Sequence, residues 1–175
     1  MIFLRNVIVA FAALTLGVHP AQGIPVEDSE SDLVVLSSEV LLNGAVLTFH
    51  GYPPGDLAGR DLHRRQCGDR SLECNGSNSP SVNSCRQLIG SLRTNSAITV
   101  GPSPRSICLN QNGSQCCVSW SEVVSGLTQG DLIGAAETVL NQCVSARNNS
   151  GLVRNVSLRG VCTTQCLSNR ATGCR

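Results

Sequence analysis

The position of the cysteines constrains this chain more than any other feature. It contains ten cysteines, and all of them lie after residue 66. Such a content is typical of a small exported domain held by disulfides. The spacing lacks the C-x2-C pairs of zinc sites, and all three histidines lie before residue 66. We therefore expect five disulfides, with the pairing open, and no metal or other cofactor. The cysteines are Cys67, Cys74, Cys85, Cys108, Cys116, Cys117, Cys143, Cys162, Cys166 and Cys174.

The first 23 residues have the pattern of a signal peptide. Arg5 is followed by an apolar run over residues 6–18, and Ala21 and Gly23 supply small residues before the expected cut. The run is too short to span a bilayer, and no second long apolar stretch follows it. We expect cleavage after Gly23 and a secreted, extracellular protein without a membrane span.

Residues 24–65 differ in composition from the rest of the chain. They hold seven of the twelve acidic residues and no cysteine, and they end in Arg64-Arg65. A dibasic pair at such a break indicates a pro-segment, leaving a mature domain over residues 66–175. Its new N-terminus, Gln66, can cyclise to pyroglutamate. The strand-prone runs 33–36 and 46–49 predict that the pro-segment pairs with itself or with the domain before release.

Two helices are predicted in the mature domain from apolar spacing. In the first, Ser79 is the expected N-cap and Pro80 the first helical residue. In the second, Thr128 and Asp131 form the expected capping box. The apolar positions are Val82, Cys85, Leu88, Ile89 and Leu92, then Leu132, Ile133, Ala136, Val139, Leu140 and Cys143.

Residues 97–100, 105–109, 116–120 and 156–158 are predicted strands. The resulting order predicts a small disulfide-rich α+β domain, with an antiparallel sheet, two helices on one face and a split β-α-β pattern.

The disulfides should carry much of the stability of this domain. After residue 65 the chain has a single aromatic residue, Trp120, which we expect in the core. On a strand, Cys116 and Cys117 point to opposite faces, so they should bond to different elements. Cys85 and Cys143 lie on the predicted inward faces of the two helices, where each can link its helix to the sheet.

Three segments of the mature domain resemble a known family. They are Ser106–Leu109, Cys116–Ser121 and Gly160–Arg170, the last reading GVCTTQCLSNR. They are similar to the fungal small secreted cysteine-rich proteins grouped as the WD-like family. More distantly, the order of helices and strands resembles killer-toxin-like secreted effectors. The family resemblance implies no established activity.

Enzyme designs are restricted by the residue inventory. After residue 65 there is no His and no Lys, so Ser-His, Cys-His and Ser-Lys nucleophiles are not available. A carboxylate pair is the remaining design, and a cleft with two facing carboxylates would support a small hydrolase. We expect no catalytic residues. The carboxylates of the mature domain are Asp69, Glu73, Glu122, Asp131 and Glu137.

The mature domain contains nine arginines and only these five carboxylates, so it carries a net positive charge. Arg154, Arg159 and Arg170 fall near one predicted strand and form a candidate patch for anionic polysaccharide, lipid headgroups or an acidic protein, or an ordinary solvated face. The arginines are scattered without interleaved aromatics, so nucleic acid is not an expected partner. We expect a monomer.

Four sequons are consistent with an extracellular surface: those of Asn75, Asn112, Asn148 and Asn155. The leading functional hypothesis is a secreted interaction protein of effector or toxin type, which binds an extracellular protein or cell-wall polysaccharide without catalysis. The alternative is a structural or surface-active wall protein with a hydrophobin-like role, which a large exposed aliphatic patch would favour.

Overall fold

The computed structural model describes residues 33–53, 67–101 and 104–173. The expected signal peptide, the dibasic pair Arg64-Arg65 and Cys174 lie outside these residues. The strands are β1 (Val34–Val40), β2 (Val46–Gly51), β3 (Ser71–Asn75), β4 (Pro104–Gln111), β5 (Ser114–Trp120), β6 (Ser150–Leu158) and β7 (Val161–Ser168), and the two main helices are α1 (Val82–Thr94) and α2 (Ile133–Val139).

All seven strands form one antiparallel sheet in the order β1-β2-β4-β5-β7-β6-β3. α1 contacts β4 and β5, α2 contacts β6 and β7, and the helices contact each other. They therefore share one face of the sheet. The protein is a small disulfide-rich α+β domain, as the sequence predicted.

α1 forms where the apolar spacing predicts it, and Cys85, Leu88, Ile89 and Leu92 are buried. Its N-cap is Ser81, whose side chain accepts a hydrogen bond from the Ser84 N–H. The expectation that Ser79 caps this helix was wrong. The Ser79 hydroxyl donates to the Gly76 carbonyl in the preceding turn, and the helix begins only after Pro80.

The second helix is less regular than its apolar pattern suggests. A 3-10 turn, Gln129–Leu132, precedes α2, and a π-helical turn, Leu140–Val144, follows it. Asp131 accepts hydrogen bonds from the Thr128 N–H and hydroxyl, each at 2.8 Å, so the predicted pair does stabilise the helix start. The π turn carries the buried Cys143.

The strands are more numerous and longer than predicted. Residues 97–100 are not a strand and form only an isolated bridge between Thr99 and Thr128. β6 and β7 replace the single short strand expected around residue 156. β6 contains a register shift at Asn155, which has a φ of 57°. The turn between β4 and β5 is formed by Asn112 and Gly113, both with positive φ, as a tight hairpin requires.

Among the described residues, four disulfides join eight of the nine cysteines. The Cys116-Cys117 doublet bonds to two different elements as predicted, and Cys85 and Cys143 each link a helical segment to a strand. The described cysteines also include the buried Cys166, in β7. The pairs are Cys67–Cys162, Cys74–Cys143, Cys85–Cys116 and Cys108–Cys117.

The hairpin β1–β2 belongs to the expected pro-segment, yet it completes the sheet. β1 pairs with β2, and β2 pairs with β4. Ala45 and Leu47 are fully buried in the same core as Trp120. The segment therefore pairs both with itself and with the cysteine-rich domain.

Candidate interaction surface

The exposed apolar side chains cluster on the hairpin. Among the described residues, the large exposed hydrophobic side chains are Val34, Val35, Val40, Leu42 and Ile98, and only Ile98 lies outside the hairpin. Val40 is 71% exposed and Leu42 is fully exposed. We call Val40 and Leu42, which lie together at the end of β1 and in the turn after it, the hairpin surface. Val34 and Val35 lie at the other end of β1, roughly 17–20 Å away. Clustered exposed aliphatic side chains are typical of a contact surface.

A groove of about 570 Å³ lies beside the hairpin surface. One wall is the turn between β1 and β2, and the other is the C-terminal half of α1. The groove is lined by apolar side chains, by hydroxyl and amide groups and by one carboxylate. The lining residues are Glu39, Val40, Leu41, Leu42, Asn43, Gln87, Ser91, Thr94, Asn95 and Leu109.

β1 is the outermost strand at this end of the sheet. Within the described residues, no strand pairs with its outer edge. It contains neither Pro nor Lys, the residues that commonly protect such edges, although its pairing with β2 has a bulge between Val35 and Ser37. Its backbone groups are therefore suitably placed to pair with an added strand.

The opposite edge strand, β3, is fixed to the domain by a disulfide and an ion pair. Cys74 ties it to the second helix through Cys143. Glu73 on this strand receives two hydrogen bonds from Arg154, at 2.6 and 3.1 Å. This contact lowers the pKa of Glu73 below its usual value. β3 also ends in the sequon residue Asn75, which is exposed.

The candidate arginines are not brought together. Arg159 lies in the turn before β7, and Arg170 follows its far end. A strand of eight residues separates them, which corresponds to roughly 26 Å. Each also has a partner within the chain, since Arg159 contacts Asp131 at 2.7 Å and the Arg170 Nε donates to the Gly173 carbonyl at 2.7 Å.

The carboxylates of the cysteine-rich domain are used in similar local contacts. Glu73, Asp131 and Glu137 each form an ion pair with an arginine, and Glu137 pairs with Arg93 of α1. Asp69 and Glu122 are exposed. The groove beside the hairpin is lined by a single carboxylate, Glu39.

The hairpin also brings a histidine to the domain. His50 of β2 lies opposite Ser106 of β4, and partial burial lowers its pKa. The side chain of Ser106 is fully buried, and its hydroxyl lies 3.5 Å from the Cys108 sulfur. A substrate has no access to that hydroxyl, so this pair does not provide a nucleophile.

All four sequon asparagines are exposed. Asn75 and Asn148 lie close together, because Asn75 is paired with Ser150, the last residue of the Asn148 sequon. Asn155 differs in that its side-chain amide donates to the Asp69 carbonyl at 2.9 Å.

Sequence reasoning did not find the hairpin surface as a binding candidate, because residues 24–65 were assigned to a removable segment. The signal was nevertheless present. The run Val40-Leu41-Leu42 precedes Asn43-Gly44, so apolar residues lead directly into a turn, where side chains are exposed.

The described residues include no helix with the length and apolar character needed to cross a membrane. No curated protein and no solved structure matches this chain. A family model described as Fungal WD-like matches residues 32–174, from just before β1 to beyond the end of β7. The chain therefore belongs to the fungal WD-like family.

Proposed function

We propose that this protein is a secreted, non-catalytic interaction protein that binds an extracellular protein through the hairpin surface and its groove. The observation that carries this proposal is the concentration of exposed aliphatic side chains on an edge hairpin of a disulfide-linked sheet. A rigid scaffold that presents apolar side chains loses little entropy on binding.

A protein segment fits this surface better than a polysaccharide. The groove combines the aliphatic residues Leu41, Leu42 and Leu109 with amide and hydroxyl groups. Sugars commonly stack on aromatic rings, and the described residues that line the groove include no aromatic side chain. The outer edge of β1 adds backbone donors and acceptors, which an extended peptide can pair with.

Binding to isolated cell walls and intact cells tests this function. Labelled protein would be incubated with them before and after treatment with protease, and with glucan- or chitin-degrading enzymes. Val40→Asp places a charge in the hairpin surface, while the matched Ile98→Asp charges an exposed large aliphatic side chain outside the hairpin. We expect protease treatment to abolish binding and Val40→Asp to weaken it about tenfold, which is 1.4 kcal/mol.

Two results would count against the proposal. Equal binding by the Val40→Asp and Ile98→Asp variants would show that the hairpin surface is not the contact. Loss of binding after polysaccharide digestion alone would identify a wall polysaccharide as the partner.

The same exposed aliphatic side chains favour a second candidate function, that of a surface-active wall protein. Such a protein would adsorb at an air–water interface and lower the surface tension at micromolar concentration. Val40→Asp would reduce this adsorption, whereas Ile98→Asp would leave it nearly unchanged.

We also infer a distant relationship to killer-toxin-like effectors. Its support is topological: α2 follows β5 and precedes β6, and β7 lies between these two strands in the sheet. An experimental structure of a killer-toxin-like effector with a different strand order around its second helix would argue against it.

A further inference from the structure

We propose that the hairpin β1–β2 stays on the cysteine-rich domain after cleavage at Arg65, held without any covalent bond, so that the processed protein consists of two chains. This inference rests on the proposed dibasic processing. On this proposal the hairpin is not released after cleavage but remains a permanent part of the sheet.

The first support is the pairing of β2 with β4. The ladder runs from Val46 opposite Asn110 to His50 opposite Ser106, with Gly51 opposite Pro104 after a register shift. β4 would become the edge of the sheet if the hairpin left. Its backbone groups on that side would then lose their partners, which is unfavourable where they are shielded from water.

The second support is the core. Ala45 and Leu47 have no exposed surface, and Leu47 lies opposite Leu109, which is also fully buried. Phe49 packs against the same core opposite Ile107. Release of the hairpin would expose these aliphatic side chains of β4 to water, which opposes dissociation.

Polar contacts fix both ends of the hairpin to the domain. After β2, Arg105 donates to the Tyr52 hydroxyl at 3.0 Å, and its guanidinium lies 5.2 Å from the centre of the Tyr52 ring. The same guanidinium donates to the Trp120 carbonyl at 2.8 Å. At the turn, Asn43 donates to Gln87 of α1 at 3.3 Å.

No disulfide joins the hairpin to the domain, because every cysteine lies at residue 67 or later. A cut after Arg65 therefore leaves only non-covalent contacts between the two parts. The family match begins at residue 32, so β1 and β2 lie in the same matched region as the cysteine-rich domain. The family match therefore agrees with a hairpin that is part of the domain, and without a disulfide only the non-covalent contacts can hold it there.

In vitro cleavage tests retention separately from processing. Purified chain starting at Ile24 would be cut by a dibasic-specific protease, and denaturing mass analysis would verify the cut after Arg65. Size exclusion and native mass spectrometry would then measure whether fragments 24–65 and 66–175 remain together. We expect a one-to-one complex at micromolar concentration.

Two variants test whether the buried face of the hairpin retains the N-terminal fragment. Leu47→Ala removes a buried side chain of β2, and Leu42→Ala removes an exposed side chain of the same hairpin. We expect the cut Leu47→Ala protein to release its N-terminal fragment at least about tenfold faster than the cut Leu42→Ala protein. If the Leu47→Ala chain does not fold, urea titration of the cut wild-type protein replaces this comparison. The N-terminal fragment should then dissociate only at the urea concentrations that unfold the domain.

Separation of the wild-type fragments after cleavage, with a folded 66–175 fragment left behind, would overturn the proposal. Absence of cleavage at Arg65 in the producing cell would instead contradict only the processing step, because the in vitro cut does not depend on it.

Discussion

Cys116 and Cys117 are neighbours in the chain, yet their disulfides leave opposite faces of β5. Cys116 bonds to Cys85 of α1, on the helix face, and Cys117 bonds to Cys108 of β4 directly across the sheet. One dipeptide therefore fixes a helix to the sheet and one strand to the next.

These two bridges should differ in their effect on stability. The Cys85–Cys116 bridge spans 31 residues and the Cys108–Cys117 bridge spans 9. In the chain-entropy model, the longer loop restricts the unfolded chain more, by about 1 kcal/mol. Denaturant unfolding of the two double-alanine variants measures the difference. We expect the Cys85→Ala/Cys116→Ala protein to be the less stable, and the reverse order would contradict this account.

A fifth bridge should join Cys166 to Cys174. Gly173 is the last described residue, and a Cβ there would lie 3.1 Å from the Ser119 hydroxyl oxygen. Ser119 lies opposite Cys166 in the pairing of β5 with β7. The chain thus brings its C-terminal end to the strand position beside Cys166.

Peptide mapping without reduction tests this pairing. We expect one peptide pair linked through Cys166 and Cys174, and no thiol that reacts with an alkylating reagent in the unreduced, unfolded protein. In the Cys174→Ala variant a single thiol, at Cys166, should become reactive under those conditions. A link from either cysteine to any other would contradict the prediction.

Gly151 should not tolerate a side chain. A Cβ at this position of β6 would lie 2.8 Å from the Cys143 sulfur, 2.9 Å from a Val139 methyl carbon and 3.0 Å from the Glu73 carbonyl oxygen. The Cys143 sulfur is held in a disulfide and the Glu73 oxygen belongs to the backbone of β3, so relief requires movement of the disulfide and of this backbone. We expect Gly151→Ala to lower the free energy of unfolding by about 1–3 kcal/mol.

Gly134→Ala is the matched control in α2, since a Cβ there has no neighbour within 4 Å. It should raise the stability by about 0.5–1 kcal/mol, because alanine favours the helix. Equal effects of the two substitutions on thermal or denaturant unfolding would show that close approach at Gly151 does not matter.

Sequence patterns predicted the elements that bury one face and expose the other, because the spacing of apolar residues within one short segment reveals such a face. α1 followed from the spacing of Cys85, Leu88 and Leu92, and the division of Cys116 from Cys117 followed from strand alternation. The N-cap was misplaced because Ser79 and Ser81 are equally suitable residue types. The contacts of the two hydroxyls decide between them: Ser81 accepts from the Ser84 N–H, and Ser79 donates to the Gly76 carbonyl in the turn.

The features that the sequence did not predict required tertiary information. β7 lies in the interior of the sheet and buries the polar residues Thr163, Gln165 and Ser168, so an alternation of apolar and polar residues does not reveal it. The contact between β2 and β4 joins residues far apart in sequence, across a dibasic pair that indicates separation. Arg154, Arg159 and Arg170 are close in sequence, but the length of β7 separates the last two, and each arginine is engaged in a local ion pair or hydrogen bond.

Asp131 connects the start of the second helix to the turn between β6 and β7. One of its oxygens accepts hydrogen bonds from the Thr128 N–H and from the Arg159 Nε. Partial burial opposes ionisation, but the bonds from Thr128 and Arg159 prevail and lower the pKa of Asp131 below its ordinary value of 3.8. A carboxyl group with a lowered pKa in the folded state stabilises the protein at a pH above its unfolded pKa.

Asp131→Asn should therefore lower the free energy of unfolding at pH 7 by about 1 kcal/mol, the usual effect of losing a helix-start contact. The difference from wild type should shrink once the pH falls below about 4, as the folded pKa is approached. Denaturant unfolding between pH 7 and pH 2 measures it. The control Glu122→Gln removes an exposed carboxylate and should change little at any pH. A difference for Asp131→Asn that stays constant to pH 2 would show that the charge of Asp131 does not stabilise the helix start.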